Sequence, residues 1–210
     1  MFLKEAQAVT GGLSNPSKMP GYSYNLPAEK CIVGSRLRRH ENTVCSHCYA
    51  LKGRYVFPNV IKAMYRRLDS LMDPRWIECM VFEITFRYEK GHTHFRWHDS
   101  GDLQGHRHLK NIFEVCRKTP DVMHWLPTRE YRFVESVVKD EDVPTNLVIR
   151  LSGHNFNEIP DTDMLVSSVH TSEEKVPGAH ICQAVKTKSP CGKCRACWMH
   201  TVKHVSYGVH

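Results

Sequence analysis

Nine cysteines are the residues of this chain with the most chemistry to offer, and seven of them fall into two groups. Cys191-Gly192-Lys193-Cys194-Arg195-Ala196-Cys197 sets three thiols at intervals of three, with Cys182 nine residues upstream. A run this tight wraps one compact cluster, as in bacterial ferredoxin loops, whereas structural zinc sites commonly use two separated ligand pairs. The other group is Cys31, thirteen intervening residues, then Cys45-Ser46-His47-Cys48. Three thiolates in one loop suit a cubane cluster with one iron left to an outside ligand. The rival is zinc in a Cys3His site, with His40 or His47 as the nitrogen donor. Cys182 can complete either group. The expected metal ligands are therefore Cys31, Cys45, Cys48, Cys182, Cys191, Cys194 and Cys197, holding one or two [4Fe-4S] clusters. Cys79 and Cys116 stand alone in apolar, helix-like stretches and read as small buried hydrophobes.

Trp198 is the one large hydrophobe beside the second group. The stretch 182–210 is accordingly expected to depend on metal for its order. It reads as a cysteine-rich segment appended to a domain over 1–181.

The rest of the composition supports thiols that bind metal. With 210 residues, 41% hydrophobic and 24% charged, the chain is one globular domain with at most a small appendage. No apolar run approaches the roughly 20 residues of a membrane span, and the first residues lack a basic-then-apolar signal. A cytoplasmic protein with no membrane partner is expected. In that reducing compartment clustered thiols are metal ligands or redox groups more often than disulfides. The net charge of +7 allows nucleic acid as a partner without requiring it. Arg36, Arg38, Arg39, Lys52 and Arg54 flank the first cysteine group, as a solvated loop or as phosphate contacts. Tyr22, Tyr24 and Tyr55 offer either packing or stacking surface. His106, His108, His200, His204 and His210 read as surface histidines.

Elements that could position these groups follow from periodicity. The segments 58–69 and 74–90 read as helices, the second opening on Pro74 and followed by Gly91. A strand at 94–98 is followed by a helix at 104–118, whose Leu109, Ile112, Phe113 and Cys116 recur at helical spacing. Further strands fall at 122–126, 146–151 and 164–168, with a helix at 131–139. Strand, helix, strand at this spacing means βαβ units and a mostly parallel α/β sheet.

Polar residues gather near the expected C-terminal ends of these strands: His98, Asp99 and Asp102; Thr128, Arg129 and Glu130; Arg150, Ser152 and His154; Ser167, Ser168 and His170. Ligands of parallel α/β folds sit on that rim, so a small-molecule ligand is expected there. The alternative is that these residues cap helices and make turns.

Five stretches carry a resemblance: Asn15-Pro16-Ser17-Lys18-Met19-Pro20-Gly21, Cys45-Ser46-His47-Cys48-Tyr49-Ala50, Arg96-Trp97-His98-Asp99-Ser100-Gly101-Asp102-Leu103, Trp125-Leu126-Pro127-Thr128-Arg129-Glu130 and Cys194-Arg195-Ala196-Cys197-Trp198. Together they resemble the bacteriophage family named for "gene product eighty-eight", across nearly the whole chain. For a phage protein the compartment is the host cytoplasm. More distantly, a cysteine loop ending Cys-x2-Cys-Tyr-Ala before βα units is similar to radical S-adenosylmethionine (SAM) enzymes. Their usual first cysteine gap is three residues, against thirteen here, and Ser100-Gly101-Asp102 is a partial match to their methionine-binding turn. This second resemblance implies a partial (β/α) barrel of five or six strands and SAM as a cofactor. Asp99, Ser100, Gly101, Asp102, Thr128, Arg129, Glu130, Arg150 and Ser152 would then line the cofactor site.

Three functions remain open on sequence grounds. They are a radical-SAM-like enzyme, a non-catalytic iron–sulfur protein for electron transfer or redox sensing, and a zinc-stabilised nucleic-acid-binding module.

Overall fold

The computed structural model describes residues 1–209. After helix α1 (Leu3–Thr10) and strand β1 (Tyr22–Tyr24) comes a loop carrying the first cysteine group and the short helix α2 (Ile32–Leu37). Helices α3 (Pro58–Ser70) and α4 (Trp76–Tyr88) follow. Then strands and helices alternate: β2 (His94–Trp97), α5 (His106–Lys118), β3 (Met123–Thr128), α6 (Tyr131–Val137), β4 (Leu147–Phe156) and β5 (Val166–His170). The chain closes with β6 (His180–Ile181), α7 (Gln183–Lys186) and β7 (His204–Gly208).

The strands form one seven-stranded sheet in the order β1-β2-β3-β4-β5-β7-β6, and every pairing is parallel. The sheet is open, with β1 and β6 at its edges. Five strands run in chain order without reversal. Right-handed crossovers then place the connecting helices on one face, unlike a doubly wound sheet, whose order reverses midway. The core agrees. Trp76, Met80 and Ile84 of α4, Leu109, Ile112, Phe113 and Cys116 of α5, and Val134 and Val137 of α6 pack on Tyr24, Phe95, Trp97, Leu126, Leu147, Ile149 and Leu151. Cys79 and Cys116 are both buried, as small hydrophobes.

The opposite, inner face has a different covering. Trp198 lies against Trp125 and Val148, with Met19, Met123, Leu165, Cys197 and Tyr207 around them. The Trp198 indole donates to Phe95 O at 2.8 Å. The segment after Cys182 therefore fills the inner face and returns β7 to the sheet, between β5 and β6. This corrects the expectation that the segment has little apolar anchorage. Trp198 is 3% exposed, a burial that contributes roughly 1.5–3 kcal/mol for a side chain of this kind.

Two histidines expected at the surface are buried. His204 sits in β7 with Nε2 paired to Ser168 Oγ at 2.7 Å, and His108 packs edge-on to Trp76 and His98. His106 and His200 are exposed as expected, and His210 lies outside the described residues. Tyr24 is fully buried and its hydroxyl donates to Thr10 O at 2.6 Å, so it packs and offers no stacking surface. Among the described residues no helix is long and apolar enough to cross a membrane.

Candidate metal centres

The first cysteine group sits over the ends of β2 and β3. Thr43, buried, holds its turn: its hydroxyl donates to Leu37 O at 2.8 Å and accepts from Ser46 N at 3.2 Å. The loop is tied to the rim by Glu130, whose Oε1 accepts from Val33 N at 2.7 Å. Phe156 N donates to Asn42 O at 3.3 Å, fastening the loop to β4 as well.

The thiols of Cys31, Cys45 and Cys48 lie close enough to act on one another. Burial pushes Cys31 well up, and Asp102 and the neighbouring thiols add to it. Burial also raises Cys45, while the Arg129 guanidinium opposes the rise. Gly34 leaves room beside two of these sulfurs. A Cβ there would stand 2.9 Å from Cys31 Cβ, 3.6 Å from Cys45 Sγ and 3.7 Å from Cys31 Sγ. Neither candidate nitrogen donor joins them: His47 is exposed, packs on Phe156 and pairs its Nδ1 with Ser46 Oγ at 2.9 Å, and His40 is exposed.

The expected rim residues divide by position. Asp99, Ser100, Gly101 and Asp102 follow β2, and Thr128, Arg129 and Glu130 close β3, as the strand pattern requires. Arg150 and Ser152 do not lie past a strand end; β4 runs on to Phe156, so both sit within it, as Ser167, Ser168 and His170 sit within β5.

Most of the rim's polar groups are satisfied internally. Asp102 accepts from Leu103 N at 2.8 Å, Thr128 Oγ1 at 2.6 Å and Arg129 N at 2.9 Å, tying the two strand ends together. Burial still raises its carboxyl. Asp99 accepts from Ser23 Oγ at 2.6 Å, Asn25 Nδ2 at 3.3 Å and Tyr55 OH at 3.0 Å. Ser100 Oγ donates to Leu26 O at 3.0 Å, and Gly101, at φ +78°, turns the chain where a Cβ would stand 2.6 Å from Leu26 Cβ. Ser152 Oγ pairs with Ser167 Oγ at 2.9 Å. Arg129 Nε donates to Gly153 O at 3.0 Å, with its guanidinium beside Cys45. Glu130 is buried, and desolvation pushes its carboxyl up to about 7.

The second group lies on the inner face. Cys182 N donates to Ser206 O at 2.8 Å and Cys191 N to Lys18 O at 2.9 Å. Cys191 has the Cys182 and Cys194 thiols beside it, and Cys197 has Cys182, so Cys182 belongs spatially with this group. Cys197 Sγ is 3.2 Å from Tyr207 OH, and burial pushes its thiol up to about 11. Cys194 Sγ is 3.6 Å from His180 Nε2. Arg150 reaches this group from β4. Its Nε donates to Cys197 O at 3.2 Å, and its Nη2 to Ala196 O and Met199 O at 3.0 Å each.

Arg96, Tyr49 and Tyr207 were not singled out by sequence. Arg96 lies over the Trp125 ring at 4.5 Å and donates to Tyr49 OH at 3.4 Å, between the two cysteine groups. Alternation along β2 puts Arg96 on the inner face, and that was the signal available.

The candidate donors of the first group are sulfur, and the second group adds His180 Nε2 beside its Cys194 sulfur. Among the described residues no three His, Cys, Asp or Glu side chains are grouped so as to hold a metal ion. A tetrahedral zinc would draw its sulfurs to about 3.8 Å from one another, given Zn–S bonds of about 2.3 Å. The thiols of each group are neighbours without that contraction.

The fold and the cysteine loops define an α/β protein with an all-parallel sheet and two separate thiol groups. A model of the Gene product 88 family matches residues 3–206, and the chain belongs to that bacteriophage family. No curated protein and no solved structure matched the chain.

Proposed function

We propose that this chain is an iron–sulfur protein with two [4Fe-4S] sites on a partial (β/α) barrel of the radical SAM kind. The observation that carries this reading is the segregation of seven cysteines into two sulfur-donor groups, three over the β2 and β3 ends and four against the inner face. The remaining two cysteines are buried among apolar side chains. The Cys-x2-Cys-x2-Cys run favours iron over zinc, because it wraps one compact cluster where structural zinc sites commonly use two separated ligand pairs.

Cys31, Cys45 and Cys48 would hold the rim cluster, and Gly34 supplies room against two of these thiols. Cys182, Cys191, Cys194 and Cys197 would hold the other. When bound at three cysteines, a cubane supplies one-electron chemistry and a free coordination position. SAM is the ligand proposed for that position, with Arg129 placed beside Cys45 to receive its carboxylate. Asp102 and Thr128 keep the Arg129 backbone in place, and Glu130 fixes the Cys31 loop above it.

A non-catalytic electron carrier or redox sensor is the second reading, and one observation favours it. Trp125, Trp198 and Tyr207 fill the inner face, where a barrel enzyme would admit its substrate, so only the rim is left for one. Incubation of anaerobically purified protein with SAM and dithionite separates the two. Methionine release that is lost in Cys45→Ser supports the enzyme; iron-loaded protein that leaves SAM intact supports the carrier.

A further inference from the structure

Arg150 is fully buried, and the hydrogen bonds it makes account for its donors without accounting for its charge. Besides the carbonyls of Ala196, Cys197 and Met199, its Nη1 donates to Val166 O at 3.3 Å and Lys203 O at 3.4 Å. All five acceptors are neutral. The ion pairs among the described residues are surface pairs, Arg75–Asp73, Lys110–Glu141, Arg117–Glu141, Lys118–Glu114 and Lys186–Glu173, and Arg150 takes part in none. The acidic groups that act on it are Tyr207, from β7, and Cys197, from the turn after Cys194. A guanidinium keeps its proton under all ordinary conditions, so this cation stays charged in the interior. An uncompensated buried charge is strongly unfavourable, whereas one facing a fixed anion is not.

We propose that Arg150 is the built-in counter-charge of the metal–thiolate centre at Cys182, Cys191, Cys194 and Cys197. It is a positioning residue twice over. Its donors hold the backbone of the loop that presents Cys197, and its charge is balanced when Cys197 is a metal-bound thiolate. The inference rests on the reading of these four cysteines as one ligand set. Two consequences follow for a cluster at this site. A fixed positive charge stabilises the added electron, so Arg150 raises the reduction potential of this centre. Metal binding also relieves the buried cation, so part of the stabilisation on loading depends on Arg150.

The test uses full-length, anaerobically purified protein as parent, Arg150→Met and Arg150→Lys. Melting temperature is measured with metal loaded and after chelation, and the potential of the C-terminal centre by EPR-monitored titration in a Cys45→Ser background. The rise in melting temperature on loading is expected to be smaller in Arg150→Met than in the parent. The potential of Arg150→Met is expected to be more negative, while Arg150→Lys, which keeps the charge, retains the parent's potential. A residue that only braced the loop would lower both melting temperatures equally. An equal rise on loading together with the parent's potential in Arg150→Met would overturn the inference alone. If Arg150→Met does not fold, Arg150→Lys decides, because a potential displaced as far negative as the loss of charge predicts would overturn it. A parent without metal at these cysteines would instead remove the ligand-set reading, and this inference with it.

Discussion

Glu130 and Val33 join the rim of the sheet to the first cysteine loop: the Glu130 carboxylate accepts from Val33 N at 2.7 Å across 97 residues of chain. Val33 stands two residues after Cys31, so this bond sets where Cys31 is presented relative to the β3 end. Glu130→Ala is predicted to cost about 1–3 kcal/mol, the penalty for leaving a half-buried donor unpaired. It is also predicted to lower iron at the first site while sparing the second. Chemical denaturation and iron analysis check both; loss of stability with full iron retention would limit Glu130 to a structural tie.

Gly34 provides a sharper probe of the same site. Its missing side chain leaves the space between the Cys31 and Cys45 thiols, and a Cβ would crowd Cys31 Cβ at 2.9 Å. Gly34→Ala is predicted to destabilise by about 1–3 kcal/mol, as overpacking does. The iron bound at the first site should fall with it, with the C-terminal site unchanged. Iron content measured in a Cys194→Ser background isolates the effect, and unaltered iron there would place the first cluster away from Gly34.

Much of the fold was legible because apolar residues repeat at helix and strand periods. The helices at 58–70, 76–88 and 106–118 and the strands β2, β3 and β5 lie close to where that pattern places them, while β4 runs on to Phe156, past its expected end at 151. Two parts were hidden for physical reasons. β7 reads as a polar tail because one of its faces carries His204 and Ser206, which are satisfied by Ser168 and His170 inside the protein. β4 is buried on both faces over 147–153, so alternation could not show that Arg150 points inward, away from the rim. Cysteine spacing identified both thiol groups, but the partition of Cys182 needed the third dimension.

The position of Trp198 changes what metal removal should do. Sequence alone suggested that everything after Cys182 would loosen, yet Trp198 is packed on Trp125 and β7 is paired on both sides. Hydrogen exchange after chelation is therefore predicted to quicken over 187–195 and to stay slow over β7. Trp198→Ala is predicted to cost about 3–5 kcal/mol, as large-to-small changes at buried aromatics do. Fast exchange across β7 in the chelated protein would show that metal, and not this packing, holds the segment.

His124 supplies a pH test of the core. Burial holds its imidazole at about 3, against an ordinary value of 6.5, and its Nε2 pairs with Thr119 Oγ1 at 2.9 Å. Between those values the unfolded chain takes up the proton and the folded one does not. This contribution to stability is complete above 6.5 and is lost as pH falls, by about 1.4 kcal/mol per pH unit. His124→Gln lacks that dependence. The stability gap between parent and variant is predicted to narrow as pH drops below 6.5, measured by denaturation at several pH values. A gap that is constant with pH would show that His124 takes up its proton in the folded protein as readily as in the unfolded chain.

The most direct test of the two-cluster reading is the iron and acid-labile sulfide content of anaerobically purified full-length protein. Two cubanes predict brown protein with about eight irons and an equal number of sulfides per chain. That content should fall by half in Cys45→Ser and by half in Cys194→Ser. Colourless protein that carries zinc and no sulfide would contradict it.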